Sequence, residues 1–399
     1  MPSTSPPTAR APVNDSGNAG IYVHCPFCIQ KCLYCDFYST TDLYLHDDFS
    51  RALKREISLR KTGRLTFDSL YFGGGTPSTL HPDIIEDFLA AIHQSFSLQP
   101  DTEITLEANP GTLSPLKLAR FHDMGVNRIN IGIQSFQPAN LDFLGRIHST
   151  HEGYQAFEMA RRAGFSNIGI DLIFGLPGQG PDQWRADLAC ALALEPEHIS
   201  TYMLTYEQGT PLHAAKRARR IKPLPEKHVA ELYGLTVTFL RDHGYDHYEV
   251  FNFARQTEPH AISLRSRHNT KYWNFVPYIG LGPSAHSYAD GRRSWNVAAL
   301  DAYISALDQG KRPVRGAEQL DRNQQIIEGL YLGLRQTQGI HLAEFHQRWR
   351  IDFCGQYREP LEKLAENKLI QLSDSHCALT LQGMLLLDSV VGLLIADGG

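Results

Sequence analysis

The sequence predicts an α/β fold: an incomplete parallel (β/α)6 barrel followed by a small α+β domain of winged-helix style. Three observations predict it. From Ile21 onward, short apolar runs alternate with amphipathic stretches. Several of those stretches end at a glycine, as helices often do. Polar or small residues recur where the apolar runs end, at Gly73 to Thr76, Glu107, Gln134, Asp171 and Thr205. Strands alternating with helices imply βαβ units and a parallel sheet. In such sheets the ligand site lies at the carboxyl ends of the strands. A doubly wound sheet is the competing topology.

Six strand-like runs stand in order: "IYVH" from Ile21, "SLYFGGG" from Ser69, "EITLEA" from Glu103, "RINIGIQSF" from Arg128, "NIGIDLIFGLP" from Asn167 and "HISTYMLT" from His198. Between them lie helix-like segments, among them "DDFSRALKREISLRK", "PDIIEDFLAAIHQSF" and "PDQWRADLACALAL". After Thr205 the character changes. "KRARRIKPLPEK" (Lys216 to Lys227) is basic and broken by proline; it reads as a solvated connection, with phosphate or propionate binding as the lesser reading. "PEKHVAELYGLTVTFLRDHG" reads as a helix and "YEVFNFA" as one further strand. "RSRHNTKYWNFVPYIGLGPSAHSY" (Arg265 to Tyr288) does not read as a regular element. From about Asn323 three helices, a short hairpin ("LIQLSD", "CALTLQ") and a last helix make the C-terminal domain.

At 399 residues, 42% hydrophobic and 20% charged, the chain can bury a large core. A net charge of −5 argues against an electrostatic nucleic-acid binder. The C-terminal domain carries no basic recognition stripe, so a packing or partner-binding lid suits it better. No apolar run approaches the roughly 18 residues that span a bilayer. Residues 1–19 are rich in Pro, Ser, Thr and Ala without an apolar block. They read as a disordered leader rather than a secretory signal. Seven cysteines, four of them clustered, are not a disulfide framework. A reducing, cytoplasmic setting is expected.

The cluster is "HCPFCIQKCLYCDF", with Cys25, Cys28, Cys32 and Cys35 in eleven residues. Thiolates select zinc or iron–sulfur centres. Paired zinc knuckles normally have a long loop between pairs, whereas compact spacing suits an iron–sulfur cluster. Spacing alone leaves open whether three or four thiolates bind.

The subset Cys28-x3-Cys32-x2-Cys35 resembles the signature of the radical SAM superfamily. The resemblance implies that three thiolates hold a [4Fe–4S] cluster, leaving one iron for S-adenosylmethionine (SAM). Cys25 is then the spare, a small buried hydrophobe. "YVHCPFC", "YFGGGTPSTL", "LEANPGT", "GVNRINIGIQSF", "LGRIHS", "IDLIFGLPGQ" and "HNTKYW" extend the resemblance to the coproporphyrinogen dehydrogenase-like branch, and within it to HemW-type heme chaperones. The implied domains are a radical SAM barrel at 20–215, a barrel extension with the tetrapyrrole-binding HNxxYW motif at 216–312, and a HemN-type domain at 313–399.

The resemblance also implies individual roles. Tyr34 would flank the SAM adenine. Gly74, Gly75 and Thr76 would let the backbone approach the methionyl end. Glu107, Gln134, Arg146 and Asp171 would bond the amino group, ribose and carboxylate, and Thr205 and Ser284 would complete the pocket. Tyr22 and His24 would lie between cluster and tetrapyrrole. An imidazole is a standard heme ligand, which makes His268 of "HNTKYW" the candidate.

Two functions follow from the resemblance: a heme chaperone serving respiratory-chain proteins at the membrane periphery, and an oxygen-independent coproporphyrinogen III dehydrogenase. The dehydrogenases carry a further cysteine two residues past the third cluster cysteine, where this chain has Phe37. They also have a longer N-terminal segment than the short leader here. With "HNTKYW", these features favour the chaperone, with SAM binding and cleavage still expected. A homodimer is left open, since no sequence feature tests it.

Overall fold

The structure is a computed structural model that describes residues 18–397 apart from 62, 64 and 259–262. Residues 1–17 of the expected leader lie outside the described residues. The chain divides into two compact units, one ending at Gln319 and one beginning at Leu320.

In the first unit, six parallel strands form in chain order: β1 (Ala19–Cys25), β2 (Thr66–Gly74), β3 (Ser97–Ala108), β4 (Arg128–Gln134), β5 (Ile168–Phe174) and β6 (His198–Met203). They pair as β1-β2-β3-β4-β5-β6. This consecutive order sets aside the doubly wound alternative, whose strand order reverses at its middle. An antiparallel hairpin, β7 (Tyr245–Glu249) and β8 (Asn252–Arg255), continues the sheet beyond β6. On the other edge β9 (Tyr278–Leu281) runs parallel to β1, followed by β10 (His286–Ala289), β11 (Arg292–Asn296) and β12 (Val314–Gln319).

Strand alternation divides the sheet into two faces. Ile21, Val23, Leu70, Phe72, Leu106, Ile129, Ile131 and Ile133 are fully buried and form the apolar face. The helix His46–Leu59 contributes Phe49 to that layer, edge-on to Phe27 and Phe88. The other face is polar: Tyr22 and His24 on β1, Ser69 and Tyr71 on β2, Glu103 and Glu107 on β3, Arg128 and Asn130 on β4, Asp171 on β5.

Three expectations need correction. "YEVFNFA" is not one strand. It bends at Val250–Phe251, where Glu249 accepts from the Phe251 amide (2.9 Å) and the Asn252 side chain (2.6 Å) and so satisfies the turn. Arg265 to Tyr288 is regular after all, as a helix (Arg267–Trp273), β9 and β10. The second unit begins at Leu320 rather than 313, because Val314–Gln319 pairs with β11.

That second unit opens with a capping box, Asp321 and Gln324, at the helix Arg322–Arg335. Its three-stranded antiparallel sheet has the order β13 (Ile340–His341), β15 (His376–Leu379), β14 (Ile370–Leu372). Leu330, Leu334, Leu361, Leu364 and Val390 form its core.

Candidate functional site

The four clustered cysteines separate by strand parity. Tyr22 and His24 share one face of β1, with Tyr22 Oη 3.2 Å from His24 Nδ1. Cys25 therefore points to the opposite, helix-packed face, where it is 0% exposed and burial raises its thiol pKa. Cys28, Cys32 and Cys35 sit beyond the strand on a loop and are partly exposed free thiols. The neck of that loop is pinned by Cys28 N to Thr40 O (2.9 Å) and Thr40 N to Pro26 O (2.7 Å). Its base is tied to the end of β2 by Thr76 N to Phe27 O (2.7 Å) and Gly75 N to Cys25 O (2.8 Å).

Ser39 and Thr76 reach the Cys28 thiol, and Tyr34 and Arg146 reach that of Cys32. Thr76 Oγ1 lies 3.5 Å from Cys28 Sγ. Arg146 Nη1 donates to Cys32 Sγ at 3.3 Å. Burial raises the Cys28 and Cys35 thiol pKa values, so the thiolate forms need a nearby positive centre, which a bound metal provides. Among the described residues, no three His, Cys, Asp or Glu side chains group as they would around a single ion. A four-iron cluster is larger and spreads its thiolates further apart.

Polar residues of β3, β4 and β5, with Asp171 in the middle of β5 rather than at its end, converge beside this loop. Glu107 accepts from Tyr71 Oη (2.7 Å) and Gly74 N (3.2 Å), and burial pushes its pKa up to about 7. Asp171 accepts from Asn130 Nδ2 (2.8 Å), and burial lifts it to about 6. The Arg146 Nη2 group bonds Asn109 Oδ1 and Gly132 O, both at 2.7 Å. Gln134 takes a left-handed φ of 69° where the β4–β5 register shifts. Its Oε1 and the Arg146 Nε are buried without a protein partner. Two carboxylates, an unpartnered amide oxygen and an unpartnered guanidinium N–H suit a ligand with an ammonium, a carboxylate and hydroxyls. The residues present fit SAM.

The other residues expected in the pocket follow strands on the same rim. Tyr34 packs against the cluster of Leu144, Ile173, Leu176, Leu204 and Leu212, an apolar shelf of the kind an adenine ring stacks on. Thr205 follows β6 and is exposed. Ser284, at φ 62°, follows β9 beside β1. Its turn is held by buried Glu56, which accepts from Gly282 N (2.8 Å), Asn296 Nδ2 (2.7 Å) and Tyr303 Oη (2.7 Å).

The glycines also serve the packing of the protein itself. A Cβ on Gly74, whose φ is +104°, would lie 2.4 Å from the His24 ring, and one on Gly75 would lie 2.7 Å from Phe27 O. Their missing side chains make room for β1 and the base of the cysteine loop.

His268 departs most from expectation. It lies on the helix Arg267–Trp273, which packs under the amino ends of the strands. Arg267 N and His268 N both bond Glu103 Oε1, at 2.9 and 3.3 Å. The Lys271 ammonium pairs with Asp68 (2.5 Å) and bonds Asn18 O (2.6 Å). The His268 ring is 1% exposed, with Nδ1 3.0 Å from Ser69 Oγ and Nε2 2.8 Å from Tyr272 Oη. Burial, then Lys271, lowers its pKa to about 3. Both nitrogens are taken, so the expected axial ligation has no open side here. Reaching an iron first requires parting His268 from Ser69 and Tyr272.

Tyr71, Asn130, Asn109 and Glu56 were not singled out from the sequence. Tyr71 and Asn130 had a readable signal, because polar residues at every second strand position mark the inner face. Asn109 lies within the quoted "LEANPGT" motif, although its partner Arg146 is distant in the chain; Glu56 had no signal, since Gly282, Asn296 and Tyr303 meet it only after folding.

Residues 22–191 match the radical SAM superfamily, and residues 320–386 match the HemN C-terminal domain. A protein of Bacillus subtilis named "Heme chaperone HemW" is 34% identical over 94% of this chain and 99% of its own length. "Radical S-adenosyl methionine domain-containing protein 1, mitochondrial" of Danio rerio is 31% identical over 95% of this chain and 87% of its own. Among solved structures, the coproporphyrinogen III oxidase HemN of Escherichia coli superposes with a TM-score of 0.80 at 23% identity, over 94% of this chain and 90% of that one. That likeness shows the fold.

Proposed function

The chain belongs to the HemW family of the radical SAM superfamily, whose members rest on a [4Fe–4S] cluster and SAM, and from this we propose that it binds heme and transfers it to acceptor proteins of the respiratory chain. The observation that carries the proposal is the end-to-end match to relatives named heme chaperones.

Cys28, Cys32 and Cys35 would hold the cluster, with Arg146 beside Cys32 offsetting its negative charge. When bound, the cluster supplies a single electron to the sulfonium of SAM. Glu107 and Asp171 would receive the ammonium and ribose groups, Gln134 and Arg146 would orient them, and Tyr34 would cover the adenine. Thr76 would steady Cys28 at the rim.

Phe37 supports the chaperone over the dehydrogenase. It stands where the dehydrogenase pattern has a further cysteine, and it is 65% exposed. With Ile29 (47%) and Leu33 (37%) it gives the cysteine loop an apolar tip, suited to a flat apolar ligand or an acceptor surface. Among the described residues no helix is long and apolar enough to cross a membrane.

The test is an anaerobic heme titration of cluster-loaded protein, read by Soret absorbance. Saturation near one heme per chain is expected. Absence of saturable binding, together with turnover of coproporphyrinogen III, would overturn the chaperone in favour of the dehydrogenase.

A further inference from the structure

The basic segment after Thr205 joins two helices. The helix Pro211–Arg217 ends in it, and the helix Glu226–Asp242 follows it. Between them the chain bends through Arg219, at φ 56°, and the prolines 223 and 225. This bend forms one wall of an open groove of about 480 Å³, within the usual size range of small-molecule sites. Phe143, Pro177, Ile221 and Leu224 supply apolar walls. Phe143 and Ile221 also pack on the apolar cluster that carries Tyr34, and Leu33 O accepts from Leu212 N at 3.0 Å. The groove therefore adjoins the cysteine loop.

Its polar lining is one-sided. Arg220 and Lys222 line it. Neither is in an ion pair among the described residues, although exposed ion pairs occur elsewhere on the surface. His228, in the first turn of the helix Glu226–Asp242, lines the same groove. It is exposed, and its ring has no hydrogen-bond partner among the described residues. That contrasts with His24, His148, His198 and His268, whose rings are buried and hydrogen-bonded.

Apolar walls, two unpaired cations and one unengaged imidazole match a flat apolar macrocycle with two carboxylates on one edge and a metal at its centre. We propose that this groove is a heme-docking site, with Arg220 and Lys222 receiving the propionates and His228 ligating the iron. The proposal rests on the heme-chaperone reading and assigns it a place. Binding forms one nitrogen–iron coordination bond, and no electron moves. The ferric or ferrous state is set by the heme supplied.

The experiment titrates the cluster-loaded full chain with hemin anaerobically, beside His228→Ala and Arg220→Glu/Lys222→Glu. These side chains are on the surface, so the variants keep the fold. His228→Ala is expected to shift the Soret band and weaken binding by about tenfold or more. The charge reversal is expected to weaken binding by a similar factor with the band unmoved. Wild-type binding unchanged in both variants would overturn the groove and leave the chaperone reading intact. Failure of the wild type to bind hemin would remove both. Co-sedimentation with phosphatidylglycerol vesicles is the second arm. If the charge reversal abolishes it while hemin binding is unchanged, the basic run is a lipid contact and the groove assignment falls.

Discussion

Arg146 joins the cysteine loop to the strand-end pocket: one nitrogen reaches Cys32 Sγ at 3.3 Å, while another bonds Asn109 and the Gly132 carbonyl at 2.7 Å. A single guanidinium thus registers the loop against β3 and β4. Its planar fork can hold three acceptors at once, which a lysine ammonium would not match geometrically.

The thiols differ by face, and their variants should differ accordingly. Cys28→Ala, Cys32→Ala and Cys35→Ala are each expected to lose the cluster after anaerobic reconstitution. Cys25→Ala is expected to keep it, because that side chain lies in the helix-packed layer. Iron and sulfide analysis decides, and loss of iron in the Cys25 variant would end the three-ligand reading.

Asp171 is held by Asn130 inside the pocket. Asp171→Ala is expected to weaken SAM binding by roughly 10- to 100-fold, the range of a hydrogen bond to a charged group, while iron content stays unchanged. Calorimetry on the reconstituted protein measures it, and unaltered affinity would remove the residue from the pocket.

SAM affinity should depend on pH through Glu107. Burial places its carboxyl near 7, so lowering the pH neutralises the group that receives a cation. Affinity is expected to fall by up to roughly tenfold between about pH 8 and about pH 6. Glu107→Gln should bind more weakly at high pH and lose most of this slope. A slope that persists in the variant would point to another group.

The helix Arg267–Trp273 acts as a floor, and its contacts are tight. A Cβ on Gly20 would lie 3.0 Å from Lys271 and 3.1 Å from His268. Gly20→Val should push the helix away, and His268→Ala should cost about 2–4 kcal/mol by leaving a cavity and stranding Ser69 and Tyr272. Both are expected to lower the melting temperature. An unchanged Tm in His268→Ala would mean that the floor contributes little.

The parts that were legible in the sequence are those written in short-range pattern. Glu107 and Gln134 showed themselves because they break apolar runs at the ends of β3 and β4, whereas Asp171, read as a strand end, stands in the middle of β5. The cysteine loop showed itself by spacing. The floor did not, because Asn18, Ser69, Asp101 and Glu103 meet residues 267–271 only after folding. Nothing local marks His268 as buried rather than open. "YEVFNFA" misled because its apolar residues continue through the bend, and the Glu249 side chain that closes the turn looks like any polar strand residue.

The pairing of β1 with β9 has a temporal consequence. Val23 lies against Leu281, and Gly20 against Tyr278, so the first strand of the sheet waits for one made near the end of the barrel unit. At translation rates of roughly 5–20 residues per second, that wait lasts on the order of tens of seconds. The floor helix emerges only just before β9. Throughout that interval the three cysteines are already outside the ribosome while the unit beneath them is unfinished. This chain order thus leaves the cysteine loop without its finished support for longer than any later segment of the sheet.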